Sequence, residues 1–99
     1  FDPFENDPDA KAMVARDPKA VATGSGVEKA VGKMKSKADA ALKSGEYMKA
    51  FKLYEHAHKI LAIAIRNERD EKRLDHFDDL DSAIRKGMLE ADRMIKQFG

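Results

Sequence analysis

The stretch Gly45 to Ile65, GEYMKAFKLYEHAHKILAIAI, constrains this chain more than any other. Its apolar side chains at Tyr47, Ala50, Phe51, Tyr54, Ala57, Leu61 and Ala64 follow the spacing that lines one stripe of an α-helix. Met48, Leu53, Ile60 and Ile63 lie off that stripe and widen the apolar surface. A helix apolar over more than one face needs more than one neighbour, so this segment is expected at the centre of a small helical bundle. Alanines at 50, 57 and 64 recur at a heptad step and let a partner helix approach closely.

Helical patterns flank it on both sides. Val27, Ala30, Val31, Met34, Ala38, Ala41 and Leu42 form one stripe, ending near Ser44-Gly45, where glycine suits a left-handed helix cap. Gly32, inside that stripe, is expected to mark a close helix contact. Glu46 starts the next helix almost at once, so the first two predicted helices form a hairpin. Arg66 to Arg73 carries no apolar residue and reads as a frayed end and turn. A long third helix then presents Leu74, Phe77, Leu80, Ile84, Met88, Ala91, Ile95 and Phe98 on one face. The expected fold is all-α: a three-helix antiparallel bundle over residues 27–99, preceded by a mostly irregular segment, residues 1–26.

That leading segment differs in composition. All three prolines are in it, each preceded by Asp, a pairing that suits a helix start with Asp as N-cap and Pro in the first turn. Asp7-Pro8 predicts a short helix to about Arg16 and Asp17-Pro18 a further turn, both needing to dock to be stable, through Met13 and Val14. Thr23-Gly24-Ser25-Gly26 is a linker in composition. It is either an ordinary loop or a tether that lets residues 1–22 fold back into a groove, which makes the chain's own N-terminal segment a candidate partner. Phe1 and Phe4 are expected to be exposed in a disordered end.

Net charge is +1, unevenly spread: residues 1–26 hold five Asp/Glu against three Lys/Arg, and residues 27–66 hold nine Lys/Arg against four Asp/Glu. Such a patch suits an acidic peptide, whereas a nucleic-acid module needs a stronger basic stripe with Arg or aromatic readers, so no nucleic-acid partner is expected. Cysteine is absent, which excludes disulfides, a thiol nucleophile and thiolate zinc. No apolar run reaches the ~18 residues of a membrane span, so the chain reads as soluble, and its start at Phe1 suggests a fragment or processed product.

Enzyme chemistry is poorly supported. His56 and His58 are two apart and point to different sides of a helix, so they cannot share a metal; His76 beside Asp75 and Asp79 is explained by helix-start electrostatics. Ser25 lacks the setting of a nucleophile elbow, and no phosphate-cradling glycine loop exists. The domain is expected to be non-catalytic, without metal or cofactor, and to work through its surface. A groove between the second and third helices is expected to be lined by Ile60, Ile63, Ile84, Met88, Leu89 and Ile95. Lys52, Lys59 and Lys96 stand near its rim, and Asp92 belongs to the same candidate set. The alternative groove, between the first and third helices, would use Val31, Met34, Lys35 and Ala38.

The run from Ala38 to Leu42, followed by Gly45, Tyr47, Ala50, Phe51, Leu53, Tyr54 and Ala57, resembles the first helical junction of the microtubule interacting and trafficking (MIT) domain. GEYMKAFKLYEHA is especially similar to the form of that family in ESCRT-III-disassembling AAA ATPases. TPR repeats share part of the pattern, but a single hairpin, a long third helix and Glu90-Ala91-Asp92-Arg93-Met94, similar to the family's Arg-Ala-Glu-x-Leu run, favour MIT. The resemblance covers about residues 27–98 and implies a module that binds C-terminal motifs of ESCRT-III-like proteins. It also implies recruitment of an attached effector from the cytoplasm to endosomal or other membrane-remodelling sites, with membrane contact only indirect. Met88 matches the family's apolar groove residue. Leu89 stands where Asp is common and Glu90 where Arg is common, which points to a variant, more hydrophobic ligand. The rival readings are a structural or oligomerising helical domain and a TPR-like peptide adaptor.

Overall fold

The computed structural model describes residues 2–98, all of whose regular structure is helical: α1 (Pro8–Ala15), α2 (Pro18–Ala22), α3 (Val27–Lys43), α4 (Tyr47–Asn67) and α5 (Glu71–Phe98). Phe1, expected to be exposed, lies outside the described residues.

Local chemistry sets the element ends. Asp7 Oδ1 accepts the Ala10 N–H at 3.0 Å and Asp17 Oδ1 accepts the Lys19 N–H at 3.1 Å, with Pro8 and Pro18 in the first helical position of α1 and α2. Gly45, at φ +84°, closes α3: the Glu46 N–H reaches the Ala41 carbonyl at 2.9 Å and the Gly45 N–H the Leu42 carbonyl at 3.4 Å, a Schellman turn that reverses the chain into α4. Asp70 Oδ1 accepts the Lys72 N–H at 3.0 Å where α5 begins. At ~1.5 Å per residue, the 28 residues of α5 match the 41 Å long axis of the molecule.

α4 is the hub, packing against all four other helices, whereas α3 and α5 meet over a shorter stretch. Its buried side chains are Ala50, Leu53, Tyr54, Ala57, Ile60, Leu61 and Ala64, so all three heptad alanines are in the core. Three contacts fix how α5 runs: Tyr47 stacks on Phe98 with ring centroids 6.2 Å apart, the Tyr54 ring lies over Gly87, and His58 Nδ1 is 2.7 Å from Asp81 Oδ1. Residue numbers rise on one helix as they fall on the other, so the two are antiparallel.

The N-terminal segment differs most from expectation. It carries two helices, and Phe4, Ala10, Val21 and Ala22 are buried in the same apolar core as α3–α5, so Phe4 does not belong to a disordered end. Met13 and Val14 are half-buried against that core, as docking requires. The physical reason is partnership: helices this short are marginal in water, but capping, burial of the Phe4 ring and an ion-pair clamp hold them. Asp7 Oδ2 lies 2.9 Å from Lys49 Nζ on α4 and 3.1 Å from Lys37 Nζ on α3. The chain is therefore a five-helix assembly rather than three helices with an irregular lead. Gly32 is corrected as well, since a Cβ there would meet nothing within 4 Å, and the close helix contact falls at Gly87 instead.

Candidate peptide-binding site

The His58–Asp81 contact sets the register between α4 and α5. One heptad step from each places Phe51 opposite Met88, and the opposite step places Ile65 opposite Leu74. These four side chains are half-buried, so the seam is apolar toward both ends. Its centre is polar: Asp81 also takes Arg85 Nε at 3.2 Å, which holds a carboxylate that is otherwise buried. Past Met88 on α5, Leu89 is 70% exposed, Ile95 is half-buried and Phe98 is exposed. Asp92 on the same helix pairs with Lys96 at 3.0 Å.

Sequence reasoning brought only part of this set together. On α5, Met88 and Ile95 are half-buried on the same side as buried Phe77, Ile84 and Ala91, Asp92 is half-buried beside them, and Leu89, about 100° round the helix from Met88, is exposed. Ile84 is fully buried and forms floor rather than lining. Lys52, Lys59, Ile60 and Ile63 are on another face of α4: at ~100° per residue they point well away from the stripe Phe51, His58, Ile65 that meets α5. Lys52 and Lys59 line, with His56, a hollow of about 500 Å³ against Pro3, Phe4 and Val14 of the N-terminal segment. Ile60 is fully buried. In the alternative groove, Val31, Met34 and Ala38 are likewise buried, and only Lys35 stays half-exposed, paired with Asp39 at 2.9 Å.

A hollow of about 720 Å³ opens at the end of the molecule where α5 finishes, between Tyr47, Met48, Ile95 and Phe98 on one side and Pro3 and Glu5 on the other. The sequence flagged Phe98 only as a stripe member and Met48 only as apolar and off its stripe; the stacking of Tyr47 on Phe98 makes this an aromatic wall continuous with Ile95.

Two titratable groups are strongly set by their surroundings. The Lys49 ammonium, the Ala10 N–H and Lys37 hold the Asp7 carboxyl far below the usual carboxylate range. Burial pushes the Tyr54 phenol up, reinforced by the hydrogen bond that its O–H donates to Asp39. His56 is half-buried, its Nε2 has no hydrogen-bond partner, and burial lowers its pKa, with a hydrogen bond to the Arg16 backbone opposing. Among the described residues no group of three or more His, Asp or Glu is placed to hold a metal, and no helix is long and apolar enough to cross a membrane. What the arrangement offers is apolar surface with charged borders.

No protein-family model, no curated protein and no solved structure matches this chain.

Proposed function

We propose that the chain is a non-catalytic recognition module of MIT type, in which α3–α5 form the three-helix unit and α1–α2 are an addition to it. It binds short motifs of ESCRT-III-like proteins and so brings an attached effector to membrane-remodelling sites. The observation that supports this reading is the apolar surface that α5 leaves uncovered, where Leu89 is 70% exposed next to half-buried Met88. Apolar side chains placed so cost solubility without stabilising the fold, and an apolar helix laid along the seam would bury them. Leu89 and Glu90 in place of the family's Asp and Arg suit a ligand with more hydrophobic anchors.

Titration of the 15N-labelled chain with ESCRT-III tail peptides tests it: amide shifts clustered on Phe51, His58, Met88 and Ile95 are expected, and no shift at millimolar peptide rejects the assignment. The exposed Leu89 and Phe98 favour one rival, association between copies through α5. A concentration-independent monomer mass favours peptide recognition; a dimer that buries Leu89 favours the rival.

A further inference from the structure

The N-terminal segment joins the core across a short exposed link. Thr23 to Gly26, all exposed, are its only covalent tie to the rest of the chain, and neither α1, with 8 residues, nor α2, with 5, reaches the ~12 residues at which helices begin to stand alone. It brings net negative charge to the most basic part of the molecule, and its one clamp is the contact of Asp7 with Lys37 and Lys49. It also fits imperfectly. A hollow of about 500 Å³ separates it from α4 at Lys52 and His56, and another of about 890 Å³ separates α1 from α3 around Lys29, Gly32 and Lys33. A smaller hollow is lined by Arg16 of the segment and by Lys29 and Lys33 of α3, all three exposed. Segment and groove thus match in their anchors, Phe4, Asp7 and Ala10, and mismatch along the α3 side.

We infer that the groove between α3 and α4 is a docking site for an acidic, Asp-Pro-capped helix of a partner protein, and that residues 2–22 occupy it as a tethered competitor. The partner carries an aromatic residue three positions before its capping Asp, as Phe4 precedes Asp7, and a carboxylate where this chain has Arg16. That carboxylate would stand beside Lys29 and Lys33 and add an attractive charge pair where this chain has a third cation. The four-residue tether holds the chain's own segment at roughly millimolar local concentration, so a better-matched helix displaces it only above a threshold. This surface is separate from the α4/α5 seam, and the inference stands whether or not that seam binds ESCRT-III-like motifs.

The test uses the full chain. In native-state hydrogen exchange, the amides of α1 and α2 are expected to exchange about 100-fold faster than those of Leu53 and Ala57, because the segment opens without global unfolding. Exchange of both sets at one common rate overturns the inference. A synthetic peptide of residues 2–22 carrying Ala12→Glu and Arg16→Glu should shift amides at Lys29, Lys33, Lys37 and Lys49 and release α1, at least tenfold more tightly than the unmodified peptide. Asp7→Asn in the full chain, which weakens the tethered competitor, should tighten that binding further. If this variant fails to fold, exchange and titration of the unmodified chain still decide the question. No shift with the modified peptide at millimolar concentration rejects the site, and a dimer with exchanged N-terminal segments shows instead that a second copy is the occupant.

Discussion

Gly87 on α5 makes room for the Tyr54 ring on α4: a Cβ at position 87 would lie 2.6 and 2.8 Å from Cε1 and Cε2 of that ring. Tyr54 cannot retreat, since it is 1% exposed and its O–H is tied to Asp39 on α3. One glycine therefore sets how closely α5 approaches the α3–α4 hairpin.

Gly87→Ala and Gly32→Ala should consequently change stability in opposite directions, although both exchange glycine for alanine inside a helix. At position 32 the Cβ meets nothing and φ is not positive, so the helix gains about 0.5–1 kcal/mol of propensity. At position 87 the same gain is outweighed by overpacking against a pinned ring, typically ~1–3 kcal/mol, for a net loss of about 1–2 kcal/mol. Urea unfolding of the two variants checks this, and a stabilised Gly87→Ala chain would show that the α4/α5 distance is not set there.

The Tyr54 phenol makes stability depend on alkaline pH. Its folded pKa is raised by burial and then by Asp39, so the native state holds the proton more tightly than the unfolded chain does. The contribution is fully present below the unfolded value of ~10 and is lost as pH rises from there toward the folded pKa. Thermal melts should fall in Tm above about pH 10. Tyr54→Phe should flatten that decline, at a cost near neutral pH of about 1 kcal/mol for the lost hydrogen bond.

Much of this fold was legible in the sequence, because it rests on local rules. The heptad alanines 50, 57 and 64, the left-handed Gly45 and the Asp-Pro helix starts are decided within a few residues, and the structure has each of them. Contacts between distant residues were not legible. Nothing near Gly87 reveals that a tyrosine ring more than thirty positions earlier needs its space, and nothing near Asp7 reveals Lys37 and Lys49. The predicted groove failed in one specific way: periodicity placed Ile60 and Ile63 off the main stripe, with Lys52 and Lys59 at the rim, but did not tell which neighbour covers that side. Phe4 was missed for the same reason, as one aromatic in a proline-rich lead shows no period.

Acid should loosen the N-terminal segment before the rest of the chain. His56 has its folded pKa lowered, first by burial, so stability is greatest above its unfolded value of ~6.5 and declines as pH falls below it. Asp7, held low by Lys49 first, adds stability that is present above the ordinary carboxylate value of ~3.9 and is lost as pH falls from there toward its folded pKa. Both groups lie at the N-terminal segment: His56 lines the hollow beneath Phe4 and Val14, where burial disfavours its charged form, and Asp7 is held by Lys37 and Lys49. Amide exchange of α1 should accelerate between pH 7 and 5 relative to α4, after correction for intrinsic rates, and His56→Gln should remove most of that change. Asp7→Ala should cost about 2–3 kcal/mol at pH 7, combining a lost N-cap with lost charged hydrogen bonds.

Met88→Asp and Lys59→Ala separate the proposed ligand seam from the groove read off the sequence. Met88 is half-buried opposite Phe51, so a carboxylate there places an unpaired charge in the apolar seam and should weaken an ESCRT-III tail peptide at least tenfold, about 1.4 kcal/mol. Lys59 lines the hollow beneath the N-terminal segment, turned away from α5, so Lys59→Ala should leave that affinity within about twofold. Calorimetric titration of both variants measures this directly. If Lys59→Ala weakens binding and Met88→Asp does not, the peptide lies on the α1–α2 side of α4, and residues 2–22 would then have to leave before it binds.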